Sequence, residues 1–309
     1  MARLSTQLQL PAILTAAERW KNECLCADGS ILSGSPLWTI SNLKALDEHF
    51  IQNPQMGDES FLEKFQRQLQ STSASVKQLA AELLWLLFLF PVNITGSKKR
   101  RNIMEVWSWS GMILDPAHAM LRLLDNGVGS SGQAFNNRRD IELAFAIRMA
   151  LWWKETGQAV RDQMTNNPWT LGTALDETVG GEKRQFRHMI LFLLFPDSYE
   201  RISSSRQKQE IVAALESLPG LQQELLPLGE GGSAAVTLDK KLLAIRRVLE
   251  KQYPGQEIDF YKPPVETMWQ PAEPPDDSDT EEETDVTPDT GKRIWVEMGY
   301  LLDSGNPKM

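Results

Sequence analysis

Apolar residues recur at steps of three and four along most of the chain, which is the spacing of amphipathic α-helices. Proline ends several of these patterns, at Pro91, Pro196 and Pro254, because it lacks the amide donor that a continuing helix needs. Alternation of apolar and polar residues is almost absent, so we predict an all-α body. The helical stretches are DESFLEKFQRQLQ, SVKQLAAELLWLLFLF, SKKRRNIMEVWSWSG, residues 116–125, residues 138–156, RQFRHMILFLLF, SSSRQKQEIVAALESL and LDKKLLAIRRVLEKQYP.

Local signals refine several helix boundaries. The stretch QAVRDQMTNNPWTLGTALDET predicts two short helices that are separated at Asn167 and Pro168. Ser203–Ser205 offer N-caps for the helix that carries Ile211, and Asp115 before Pro116 is a further N-cap candidate.

Four regions differ in composition. Residues 1–55 are predicted to be an irregular N-terminal segment, with ADGSILSGSPLWT as a loop, and residues 56–262 form the helical body. Residues 263–291 are rich in proline and acid, which predicts a disordered, solvated linker. Residues 292–309 include RIWVEMGYLL and are interpreted as the truncated start of a further domain or as a tail.

The net charge of −9 is concentrated in one segment. Residues 272–290 carry nine acids and no base, so the rest of the chain is formally neutral. The acidic composition therefore does not argue against a nucleic-acid partner for the body. The nine acids are Glu273, Asp276, Asp277, Asp279, Glu281, Glu282, Glu283, Asp285 and Asp289.

The stretch DNGVGSSGQAFNNRRDIEL contains Gly127, Gly129 and Gly132 at the spacing of a dinucleotide-binding loop. That mechanism needs a buried strand running into the loop, and the preceding residues have helical spacing instead. We therefore predict a connector between two helices, in which glycine ends one helix and permits positive φ.

Two segments share an order of features: an apolar helix, Phe-Pro, a polar link and a basic, serine-containing helix start. They are LLFLFPVNITGSKKRRNIMEVW and LFLLFPDSYERISSSRQKQEIVAAL. The order fits either a duplicated helix hairpin or a common way of ending a buried helix, and the unequal links favour the second.

No catalytic motif is present in the sequence. It contains no phosphate loop, no Gly-x-Ser-x-Gly elbow and no His-Glu-x-x-His. Cys24 and Cys26 are too close for an unstrained disulfide, and the three histidines lack metal-ligand spacing. We expect no catalytic residue, cofactor or metal. With no secretion signal and no apolar run near ~20 residues, we expect a cytoplasmic protein without membrane contact.

Two basic clusters are the candidate contact residues. Lys98, Lys99, Arg100 and Arg101 lie at one predicted helix start, and Lys183, Arg184 and Arg187 lie at another. Cations oppose the dipole at a helix N-terminus, so neither cluster serves helix stability. Three interpretations stay open: a solvated face paired with acidic neighbours, contact with nucleic-acid phosphates, or docking of the acidic segment.

Several long motifs occur in a fixed order along the chain: LAAELLWLLFLFPVNI, EVWSWSG, NGVGSSGQAFNNRRDIELAF, NNPWTL, RQFRHMILFLLFPDSYERISSSRQKQEIV and LLAIRRVLEKQYPGQEIDFYKPPVETMW. Together they resemble the helical N-terminal region of McrB-like AAA+ proteins, which belong to modification-dependent restriction and antiphage defence systems. The resemblance covers roughly residues 60–270, and it implies an NTPase motor and nuclease subunits on other chains as partners, with DNA as a further candidate. The family's phosphate loop is missing here, so nucleotide hydrolysis is assigned to no residue.

Three functions follow as hypotheses. The first is a non-catalytic recognition and assembly module of such a system, and the second is a structural adaptor that does not contact nucleic acid. The third is an enzyme whose site has no recognisable motif. The chain itself is interpreted as a fragment, a split-gene product or a free-standing partner.

Overall fold

The computed structural model describes residues 9–270, apart from the side chains of residues 133 and 134. That part of the chain folds into fifteen α-helices without a β-sheet, which confirms the all-α prediction. Its one strand-like contact is an isolated bridge between Pro91 and Gly129. The helices are α1 Leu10–Trp20, α2 Ile40–Leu46, α3 Phe61–Leu69, α4 Ala74–Phe88, α5 Gly96–Ser108, α6 Ala119–Arg122, α7 Gly132–Asn137, α8 Arg139–Glu155, α9 Gln158–Asn166, α10 Pro168–Glu177, α11 Gln185–Leu194, α12 Ser205–Leu215, α13 Leu221–Leu225, α14 Ala234–Gln252 and α15 Glu266–Trp269.

Residues 9–55 are helical on both sides of one loop, which corrects this part of the irregular segment expected over residues 1–55. α1 continues into a π-helical turn at Lys21–Leu25, and α2 continues into another at Asp47–Ile51. The loop predicted from ADGSILSGSPLWT lies between them. The two helices have only 11 and 7 residues. Helices of this length carry few periodic positions and depend on tertiary packing for their stability.

α4 lies at the centre of the larger hydrophobic core. Its residues Leu83–Phe88 are all buried, and α2, α5 and α8 pack around it. A helix that is apolar on every side is buried on every side, and this one ends at Phe88, shortly before Pro91, as predicted. The same core includes residues of α1 and α2, so packing continues across residue 55.

A second, smaller core lies between α12, α13, α14 and the chain that follows α14. Val265 is fully buried there, and Trp269 donates from Nε1 to the carbonyl of Phe260 at 2.6 Å. Residues 263–270 therefore belong to the folded body, which corrects the predicted start of the linker. The remainder of that linker and residues 292–309 lie outside the described residues.

The helix starts follow the capping signals with one exception. Ser204 caps α12 and Asn167 caps α10, both through side-chain oxygens that accept backbone amides. Asp115 does not cap a helix, because its carboxylate accepts the amide of Ala117 and α6 begins only after His118. A bond to an amide two residues ahead forms an Asx turn, which competes with helix capping.

The two Phe-Pro segments lead into different packing. After Pro91, α5 folds back along α4, whereas α12 packs mainly on α14 after Pro196. The similarity is therefore a shared way of ending a buried helix and not a duplicated hairpin. One detail is nevertheless common to both: the fourth residue of α5, Lys99, and the fourth of α12, Lys208, are buried.

Candidate nucleic-acid interface

The glycine-rich stretch forms a loop between two helical segments, as predicted. It joins the 3-10 turn Leu123–Asp125 to α7 and pairs with the chain just after α4. The amides of Val128 and Gly129 both donate to the carbonyl of Phe90, at 2.7 and 3.1 Å. These amides are therefore already used within the fold and do not form a phosphate cradle.

Close packing explains two of the three glycines. A Cβ on Gly127 would lie 2.4 Å from the carbonyl oxygen of Pro91, and one on Gly129 would lie 3.1 Å from the ring of Phe90. Only Gly132 has a positive φ, of 72°, and it stands at the start of α7. Gly127 and Gly129 are therefore required by the close contact with Phe90 and Pro91, and only Gly132 by its backbone conformation.

The first predicted cluster lies in the first turns of α5, and only part of it reaches the surface. Lys98 and Arg101 are exposed, whereas Lys99 is 1% exposed and donates to two loop carbonyls at 2.5 and 2.8 Å. Burial lowers the pKa of Lys99 to about 8. Arg100 forms an ion pair with Asp125. Lys98 and Arg101 are therefore the members left for an external partner.

The second predicted cluster is also divided by the fold. Lys183 is exposed, and Arg184 is half-buried at the N-cap of α11. Arg187 is fully buried, which corrects its place among residues that contact a partner at the surface. Its guanidinium is therefore not accessible to solvent.

Arg187 instead forms the centre of a buried ionic network between α10, α11, α12 and α14. Its Nε and Nη2 donate to the two carboxylate oxygens of Asp176 at 2.9 and 2.8 Å, and its Nη1 donates to Asp239 at 2.5 Å. Burial lowers the pKa of Arg187, and the two carboxylates raise it by more, so it stays above its usual range.

Lys208 and His188 complete this network. Lys208 donates to Asp239 at 2.6 Å and to Nδ1 of His188 at 3.0 Å, while Nε2 of His188 lies 2.8 Å from the hydroxyl of Ser205. An Nδ1 that accepts from a cation identifies His188 as the neutral tautomer with its proton on Nε2. With His188 neutral, the charges of Arg187 and Lys208 balance those of Asp176 and Asp239. We therefore interpret the network as structural.

The first two turns of α8 bring the two helix starts together. With the amide of Asn102 oriented by its hydrogen bonds, its oxygen accepts from Nη1 of Arg139 at 3.2 Å, which joins α5 to α8. One turn later, the buried carboxylate of Glu142 accepts the amide of Phe186 at 2.8 Å, which joins α8 to α11. Burial raises the pKa of Glu142. The starts of α5 and α11 therefore both contact the first two turns of α8.

A depression of about 420 Å³ lies beside the start of α5 in this region. Two cations and several neutral donors line it, and none of its lining residues carries a carboxylate. Its polar lining consists of Asn93, Thr95, Lys98, Asn136, Asn137 and Arg139.

Arg139 lines this depression, and no carboxylate within residues 9–270 forms an ion pair with it. Its guanidinium lies 5.1 Å from the ring centre of Phe88, and its buried Nε has no hydrogen-bond partner in the same part of the chain. Burial lowers the pKa of Arg139. By contrast, the buried guanidinium groups of Arg187 and Arg246 each bind a carboxylate. A desolvated, uncompensated cation is costly and is relieved when an anion binds.

Sequence reasoning missed the residues that line this depression apart from Lys98. Asn136, Asn137 and Arg139 stand in the run NNRRD, directly after the glycine stretch. A polar run with two arginines at a predicted helix start was the available signal. Asn93 offered no signal, because only the fold brings it beside α7 through its bond to Ser131.

Four tryptophans that stand in two close pairs along the chain pack within the body. Trp107 and Trp153 are buried, and half-buried Trp109 packs edge-on against Phe65 at 5.9 Å. Trp152 contacts Trp153 at 6.5 Å. None of these rings lines the depression beside Arg139.

Residues 9–270 contain no group of three or more His, Cys, Asp or Glu side chains that could hold a metal ion. No helix in this described part is long and apolar enough to cross a membrane. Both cysteines are unpaired, Cys24 buried and Cys26 exposed. No protein family, curated protein or solved structure matches the chain.

Proposed function

We propose that this chain is a non-catalytic recognition and assembly module of a bacterial restriction or antiphage defence system, acting in the cytoplasm. In this proposal it contacts the phosphates of nucleic acid and works with an NTPase motor and a nuclease on other chains. The system and its partners rest on the resemblance of the helical motifs, and the contact with phosphates rests on the structure.

The observation that carries the phosphate contact is that the starts of α5 and α11, each with cations, both contact the first turns of α8. The segment before α11 supplies Lys183 and Arg184, α5 supplies Lys98 and Arg101, and Arg138 and Arg139 open α8. Asp140 and Glu182 are the acids within the same segments, so the cations outnumber them. Phosphate contacts of this kind fix the position of nucleic acid without reading its sequence.

The formally neutral body favours local contacts over long-range attraction. Neutralising phosphates releases counter-ions, so affinity should fall steeply as the salt concentration rises. We expect the full chain to bind duplex or single-stranded DNA at low salt. The single variants Arg101→Gln and Lys183→Gln should each bind more weakly and show a shallower dependence on salt, measured by fluorescence anisotropy at several salt concentrations.

Lys44→Gln is the matched control. Lys44 is exposed and pairs with Glu155 at the far end of α8, about 24 Å along the helix from Arg139 at 1.5 Å per residue. Its loss removes a positive charge without touching the proposed surface. An equal loss of binding in this variant would contradict the assignment of the surface. Absence of DNA binding by the full chain would leave the structural adaptor as the better hypothesis.

A further inference from the structure

We propose that the depression lined by Lys98, Arg139 and Asn93 is a discrete site for a single phosphate group. This proposal rests on the proposed function and assigns it a specific anchoring point. The surrounding cations then supply general attraction, whereas this site supplies directed hydrogen bonds to one oxyanion.

The first argument is the state of Arg139. Its guanidinium is fixed between the ring of Phe88 and the amide oxygen of Asn102, so its position is set before any ligand arrives. Within residues 9–270 no carboxylate forms an ion pair with it, whereas the buried Arg187 binds Asp176. A desolvated cation without a counter-ion is costly, and an anion bound in the depression supplies the missing charge.

The second argument is the composition of the lining. The hydroxyl of Thr95 and the amides of Asn93, Asn136 and Asn137 border the same space as the ammonium of Lys98. The amide oxygen of Asn93 accepts from the backbone and hydroxyl of Ser131 at 3.1 and 2.9 Å. Its nitrogen is therefore directed away from Ser131 as a donor. A site with donors and no carboxylate selects an anion.

The third argument concerns the neighbouring acid. Asp125 lies beside Gly96 at the start of α5, but it is bound to Arg100. It therefore does not compensate Lys98 or Arg139. The lining contains no aromatic ring, so the site has no surface for stacking a base. Guanidinium geometry matches the oxygens of a phosphate, which makes phosphate the favoured anion.

The phosphate has two sources in nucleic acid, a strand terminus and an internal diester, and the experiment separates them. Inorganic phosphate is titrated into the full chain by isothermal calorimetry, with sodium chloride of equal ionic strength as the blank. Duplexes with 5′-phosphate and with 5′-hydroxyl ends are then compared. Tighter binding of the phosphorylated duplex identifies a terminal phosphate, and equal binding that inorganic phosphate competes away identifies internal diesters.

The variants test whether the depression is the site. Lys98→Gln and Arg139→Gln should each weaken binding of inorganic phosphate by about tenfold or more, since each removes a charge-assisted hydrogen bond. Arg101→Gln removes the same charge from the same helix but does not line the depression, and it should change the affinity less than about twofold. Lys98 is exposed, so Lys98→Gln keeps the test valid where Arg139→Gln fails to fold.

The outcomes separate this site from the wider function. No phosphate-specific heat, or equal losses in Lys98→Gln and Arg101→Gln, would overturn the site even where DNA still binds through Arg101 and Lys183. Phosphate binding that depends on Lys98 and Arg139, in a protein that binds no DNA, would support the site and contradict the proposed function.

Discussion

Arg187 and Asp239 lie 52 residues apart in the chain, and Nη1 of the arginine donates to Oδ2 of the aspartate at 2.5 Å with neither side chain exposed. The pair joins the two hydrophobic cores. Arg187 belongs to α11, whose apolar residues pack in the larger core, and Asp239 belongs to α14, whose apolar residues pack mainly in the smaller one. The ionic network is therefore a polar contact between the two hydrophobic cores.

We expect Asp239→Asn to destabilise the body strongly. Arg187 would then keep only Asp176 as a carboxylate partner, and Lys208 would lose its ion pair, both in a buried site. Removing one partner of a buried ion pair costs about 3–5 kcal/mol. The free energy of unfolding in urea measures the effect. Glu210→Gln is the control, because Glu210 pairs with Arg206 at the surface, where such pairs contribute about 0–1 kcal/mol. Equal losses of unfolding free energy in Asp239→Asn and Glu210→Gln would contradict the stabilising role of the network.

His188 makes stability depend on pH. Burial, together with the cations Lys208 and Arg187, holds the pKa of His188 well below its usual range. Below a pH of about 6.5 the unfolded state binds a proton that the folded state does not, so stability falls as the pH falls, by up to about 1.4 kcal/mol per pH unit. His188→Asn keeps an acceptor toward Lys208 but does not titrate, so this loss should be smaller in the variant.

Urea unfolding of wild type and His188→Asn at about pH 7.5 and about pH 5.5 checks this expectation. The buried carboxyls of Glu82 and Glu142 act with the opposite sign, because burial raises the pKa of each. The folded state then binds more protons, and stability falls as the pH rises above about 4.3. Comparing wild type with the variant cancels that contribution. If the loss of unfolding free energy between the higher and the lower pH is as large in His188→Asn as in wild type, the role given to His188 is wrong.

Glu82 organises the loop between α1 and α2. Its carboxylate accepts from the indole of Trp38 at 2.6 Å, from the amide of Leu32 at 2.9 Å and from the hydroxyl of Ser30. Glu82→Ala would leave these buried donors unsatisfied, at about 1–3 kcal/mol for each. We expect a loss of unfolding free energy and faster hydrogen exchange at Leu32. Global destabilisation with unchanged exchange there would argue against this local role.

The glycine loop offers a test of close packing. In Gly127→Ala the new methyl group meets the carbonyl of Pro91 at 2.4 Å, so the loop must move away from the end of α4. Gly34→Ala is the control, because it adds the same methyl group at a position with no atom within 4 Å. We expect Gly127→Ala to cost about 1–3 kcal/mol and Gly34→Ala to stay within about 0.5 kcal/mol. Thermal denaturation compares them, and equal melting temperatures would refute the packing argument.

The sequence predicted the longest helices and their ends well. α4 has apolar residues on all sides and a proline three residues after its end, and both signals are local. The break at Asn167–Pro168 depends on proline chemistry and a capping amide within the same few residues. Such features need no knowledge of the rest of the fold. α1 and α2 were missed because short helices carry a weak periodic signal.

The candidate site shows where local reasoning fails. Lys98, Lys99, Arg100 and Arg101 are consecutive cations in the sequence, yet the first and last are exposed, the second is buried and the third binds Asp125. Successive helical residues point in directions about 100° apart, so four neighbours cannot share one face. Lys99 lies four residues before buried Ile103, and this spacing already indicated the buried face.

The sequence by itself determined which segments are helical, where proline and capping residues end them, and that charge is carried in local clusters. The tertiary structure decided which cations are neutralised. Asp176 and Asp239 reach Arg187 from two other helices, while none of the carboxylates in the described part of the chain pairs with Arg139. Helix formation depends on neighbours three and four residues away, whereas compensation of a buried charge depends on which helices the hydrophobic core brings into contact.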